Sequence, residues 1–69
     1  MDKEALVNYI QSVINSRYAG LQVAFAEDNN LSAAYVNDVL RGRREPGEKI
    51  LDAVGVERIT VYRLKVDGA

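Results

Sequence analysis

Gln22–Gly42, QVAFAEDNNLSAAYVNDVLRG, is the stretch that decides the fold. Leu21, Ala24 and Phe25 supply a buried side for a short helix from about Leu21 to Asp28. The residues DNNLS, 28–32, then break it, and Asn30 is a type that tolerates the left-handed conformation of a tight turn. Ser32 reads as the N-cap of a helix from Ala33 to about Leu40, with Val36, Val39 and Leu40 as its apolar stripe. Gly42 marks its stop. Two helices joined by so short a turn cross closely and need a small residue where they touch, which Ala26 provides. The spacing alone fits a helix-turn-helix and an ordinary helical hairpin equally well.

The flanks extend the pattern. Asp2 suits the cap of a helix from Lys3 to about Asn15, with Leu6, Val7, Ile10, Val13 and Ile14 on one stripe and Gly20 as punctuation. Pro46 suits the first turn of a fourth helix, where its missing N–H costs nothing. Ile50, Leu51 and Val54 give that helix a core face, and Gly55 ends it. The tail, VERITVYRLKV (56–66), is rich in residues that fit a pleated surface, and Glu57 to about Lys65 reads as one strand. A lone strand exposes unpaired backbone groups and invites a copy of itself, which about a two-fold axis gives a closed dimer. Ile59, Val61, Tyr62 and Arg63 are the expected interface. The competing arrangement folds this strand back on residues 15–20.

Sixty-nine residues make one small domain whose core is marginal, so support from a second subunit is expected. No apolar run approaches the roughly 20 residues of a membrane span. The segment MDKEALVNYI (1–10) carries acids and no long apolar region, so no secretory signal is expected and a cytoplasmic location fits. Cysteine and histidine are both absent. That removes disulfides, thiolate metal sites, the usual general base and the strongest nucleophile. No phosphate-binding glycine loop or metal spacing appears either. The expectation is no enzyme, no cofactor, no metal, no small-molecule substrate and no membrane partner.

The net charge of −1 argues weakly against a nucleic-acid binder, but its distribution matters more. Residues 1–30 set Lys3 and Arg17 against Asp2, Glu4, Glu27 and Asp28, whereas residues 31–69 carry seven basic and six acidic side chains. Arg41, Arg43 and Arg44 form the densest basic cluster.

LSAAYVNDVLRGRREPGEKIL (31–51), with the tail GVERITVYR (55–63), resembles the small phage-type regulators of the lambda-repressor-like and Cro-like helix-turn-helix family. The resemblance covers roughly Gly20–Arg63. Two positions depart from it: Asn30 stands where the turn usually has glycine, and Asn29 where the preceding residue is often aliphatic. The resemblance implies a mainly helical domain of four or five helices with a C-terminal strand. It implies a repressor-like transcription regulator, phage or prophage in type, that binds operator DNA as a homodimer. An antitoxin-like or anti-repressor protein-interaction module is the alternative.

Within that resemblance, the N-terminal part of the second motif helix meets base edges: Ser32, Ala33, Ala34, Asn37 and Asp38. Asn37 is the expected base reader, because its amide can pair with adenine. Ser32 caps first and touches DNA second. Asp38 either accepts from cytosine or pairs with Arg41, three residues on. Tyr35 either contacts a phosphate or packs. Gln22 offers its amide to a phosphate near its own helix N-terminus. Arg41, Arg43 and Arg44 fork onto phosphates.

Overall fold

The computed structural model describes residues 1–59 and 61–65. Thr60, inside the expected strand, and residues 66–69 lie outside the described residues. The elements are α1 (Lys3–Tyr18), α2 (Gln22–Asp28), α3 (Ala33–Leu40), α4 (Glu48–Ala53), β1 (Val56–Arg58) and β2 (Tyr62–Leu64). The described chain is thus mainly helical with a small antiparallel sheet, an α+β arrangement.

Asp2 caps α1 as expected, its Oδ1 accepting the Ala5 N–H at 2.8 Å. The helix runs on past Asn15 to Tyr18. Tyr18 earns the extra turn by packing edge-to-face on Phe25, centroids 5.5 Å apart, while its hydroxyl donates to Asp28. Donating that bond to the Asp28 carboxylate raises the Tyr18 phenol above its ordinary pKa of 10.0. Ala19 and Gly20 then turn left-handed, with φ of 53° and 81°, and the Gly20 N–H closes on the Ile14 carbonyl.

One core joins the helices. Leu6, Ile10, Val13 and Ile14 from α1 meet Phe25 and Ala26 of α2, Val36 and Val39 of α3, Ile50 and Leu51 of α4, and Val54 and Val56 beyond. Leu21 corrects the expectation: it precedes α2 as its N-cap residue and is 61% exposed, so Phe25 and Ala26 bear the buried side. Ala26 is buried where α2 meets the turn, and its carbonyl accepts the Leu31 N–H at 2.8 Å. Asn29 is no weakness, because its side chain donates to the Phe25 carbonyl at 2.9 Å and closes the end of α2. Asn30 takes the left-handed turn position with φ 56°.

Pro46 is also corrected. It lies before the N-cap Gly47 rather than in the first turn of α4, and it is fully buried. Near it Lys3 Nζ binds Glu45 Oε1 at 2.7 Å, tying α1 to this loop. Lys3 holds the Glu45 carboxyl below its ordinary value of 4.5. A depressed carboxyl pKa adds stability above the unfolded value and loses it as pH falls through the folded one. A melting series below pH 4.5 should therefore show a loss in the wild type that Lys3→Met lacks. Parallel acid limbs in the two proteins would contradict this.

The single strand expected over 57–65 is instead a hairpin. β1 and β2 pair antiparallel within the chain, Val56 with Leu64, Glu57 with Arg63 and Arg58 with Tyr62. The competing pairing with residues 15–20 is ruled out as well, since those residues finish α1 and its cap. Val61 falls in the turn between the strands, not in a strand. The chain folds back because Ile59 N–H reaches the Val61 carbonyl at 2.9 Å, closing a tight reversal. Further down, Lys65 N–H reaches the Gly55 carbonyl at 2.8 Å. By alternation, the backbone groups of Tyr62 and Leu64 then point outward from β2. Those of Tyr62 are already taken: its N–H donates to the Met1 carbonyl at 3.0 Å, and its carbonyl accepts from the Met1 amino nitrogen.

Candidate nucleic-acid interface

Ser32 begins α3 by accepting the Tyr35 N–H on its hydroxyl at 3.0 Å, so capping is its structural work. With Val36 and Val39 fixed in the core, a period of 3.6 residues puts Ala33, Ala34, Asn37 and Arg41 on the opposite face. Ala33, Ala34 and Arg41 are exposed, and Asn37 is half-buried. The alanines leave the helix backbone close to whatever lies against this face.

Asn37 is tied to α2: its Nδ2 donates to Gln22 Oε1 at 3.3 Å. Gln22 and Asn37, assigned separately from the sequence, therefore form one amide pair across the two helices. Among the described residues the pair leaves the Asn37 Oδ1, its second amide hydrogen and the Gln22 side-chain NH2 available to a ligand. Asp38 is half-buried and forms no ion pair among the described residues, so the expected Asp38–Arg41 bridge is not made.

Arg41, Arg43 and Arg44 are all exposed. The ion pairs among the described residues are Lys3–Glu45, Glu57–Arg63 and Asp52–Lys65, and none uses these arginines. Glu45, the nearest acid in sequence, is occupied by Lys3. Gly42, with φ 75°, lets the chain leave α3 sharply, and the Arg43 N–H closes on the Asp38 carbonyl at 2.8 Å. Three guanidinium groups outside the ion pairs of the described residues thus follow directly on the exposed face of α3.

Tyr35 is built into the support. Its hydroxyl accepts the Gly47 N–H at 2.6 Å, and the Arg44 guanidinium lies 5.7 Å from its ring centroid. A Cβ on Gly47 would stand only 3.1 Å from that hydroxyl. Lys49, given no role by the sequence reading, borders the same groove as Ser32 and Tyr35 and is exposed. The sequence offered no signal for the Tyr35–Gly47 bond, because only the fold brings together groups twelve residues apart.

Ile59 and Val61 are exposed at the hairpin tip, Tyr62 is half-buried, and Arg63 pairs with Glu57. The four expected interface residues therefore do not form one continuous strand edge.

No family model, curated protein or solved structure matches this chain. Among the described residues no helix is long and apolar enough to cross a membrane.

Proposed function

We propose that this domain binds double-stranded DNA, reading bases with the exposed face of α3 and gripping phosphates with the loop that follows. The observation that carries this reading is the exposed trio Arg41, Arg43 and Arg44, outside the ion pairs of the described residues and continuous with a face of small and amide side chains. Guanidinium forks suit phosphate oxygens and set register, while the amide pair of Asn37 and Gln22 offers sequence readout. The order of elements supports a lambda-repressor-like or Cro-like regulator that acts in the cytoplasm by occupying an operator. Neither a catalytic group nor a cofactor enters the reading.

A second copy completes it. Ile59, Val61 and Leu64 are 47%, 51% and 47% exposed, apolar area at the hairpin that a two-fold partner would cover. Two α3 helices so related should read half-sites about 34 Å apart. Selection from random duplexes should recover a palindrome, and Asn37→Ala should bind it about tenfold more weakly. Recovery of no sequence, even at low salt, would sink the reading. One observation favours the protein-interaction alternative: Leu21 and Val23, 61% and 56% exposed, lie together at the start of α2. DNA binding unaffected by Leu21→Ser and Val23→Ser would separate that surface from the DNA face.

A further inference from the structure

Resting on that reading, we propose that Arg58 is a positioning residue for the phosphate-gripping loop, acting from the hairpin without touching DNA itself. The Arg58 guanidinium donates to the Pro46 carbonyl and lies 5.6 Å from the Tyr62 ring centroid. Its planar head is therefore held between β2 and the loop. The peptide that follows Pro46 is gripped from the other side, where the Gly47 N–H bonds the Tyr35 hydroxyl. Tyr35 in turn carries Arg44 over its ring. A chain of contacts thus runs from Tyr62 through Arg58, Pro46, Gly47 and Tyr35 to Arg44.

Three features make this a brace for the loop. The loop between α3 and α4 has no regular structure of its own, and Arg41, Arg43 and Arg44 are exposed. Its buried anchor is Pro46, which has no N–H and depends on its carbonyl for polar attachment. The carbonyl accepts a charge-assisted bond, about twice as strong as a neutral one. Arg58 itself is exposed, and among the described residues its guanidinium makes this one hydrogen bond, inward to the loop. The hairpin consequently has a second task beside any contact between subunits: it pre-orders Arg44, lowering the entropy lost when that side chain meets a phosphate.

Nitrogen-15 relaxation on the free protein and a DNA-binding cycle test this together. In Arg58→Met, backbone order parameters at Arg43, Arg44, Glu45 and Gly47 should fall from about 0.85 to below 0.6, while those of α1 stay put. DNA affinity should fall about tenfold, the scale of one charge-assisted hydrogen bond. In Arg44→Ala/Arg58→Met the losses should not add, since both remove the same phosphate contact. Additive losses would mean that Arg58 touches DNA directly, and unchanged loop order would mean that it braces nothing; either overturns the proposal. Tyr35→Phe, which keeps the ring beneath Arg44 and removes the acceptor for Gly47, should loosen the same residues if the hairpin variant fails to fold. A wild-type chain that bound no DNA would refute the DNA reading, and the relaxation result on free protein would still decide the brace.

Discussion

Replacing Arg41, Arg43 and Arg44 together with alanine should abolish most DNA affinity and leave the fold intact. Each guanidinium is exposed and outside the ion pairs of the described residues, so each substitution should move stability by only about 0.5 kcal/mol, with Arg44 also leaving the Tyr35 ring. If each neutralises one phosphate, a subunit contributes about −2.7, and a dimer about −5, to the slope of log affinity against log salt. The triple variant should lose that share of the slope. Affinity measured by anisotropy from 50 to 200 mM salt should then fall much less steeply, whereas a wild-type chain loses several powers of ten over the range when six or more phosphates are held. A variant with an undiminished slope would show that the arginines are only solvated charge.

Phe25→Ala should bring the domain to the edge of unfolding. The ring is fully buried at the centre of the core and carries the edge of Tyr18. Truncating a buried phenylalanine costs about 3–5 kcal/mol. A small domain has about 5–15 kcal/mol in all, and a core of this size sits at the low end. Phe25 shares the core with Val36 and Val39 of α3, so its loss should loosen the α3 face with it. Urea denaturation followed by circular dichroism should show the midpoint collapse toward zero denaturant. A stability loss of less than about 1 kcal/mol would mean that the core refills the cavity.

Much of this architecture was legible in the sequence where local chemistry and burial agree. Asp2, Ser32, Gly42 and Gly55 mark ends that caps and left-handed backbone require, and α3 spans Ala33–Leu40 as the reading had it. The misreadings lie where a distant partner decides. Tyr18 extends α1 because Phe25 and Asp28 await it. Leu21 looked like core from spacing, yet its place at the helix start turns it outward. The hairpin was hidden because Ile59 and Val61 have strand-like composition, and no glycine or asparagine in the segment signals a reversal.

The site was legible as residue types, less so as geometry. The arginine cluster and the amide at Asn37 stood out in the sequence, and each has a place on α3 or the loop after it. Their supports did not: Glu45 neutralised by Lys3, Asn37 bonded to Gln22, and Tyr35 bonded to Gly47 are all contacts across the fold. Those contacts commit Glu45 to Lys3 and explain why Tyr35 serves the loop.

Chemical-shift mapping by nitrogen–proton correlation, as a DNA duplex recovered by selection is added, tests the DNA reading most directly. Backbone amides of Ser32–Arg44, and the side-chain amides of Gln22 and Asn37, should shift, while the amides of Leu6–Ile14 stay in place. Shifts confined to the hairpin or to Leu21–Val23, or none at all, would contradict the account.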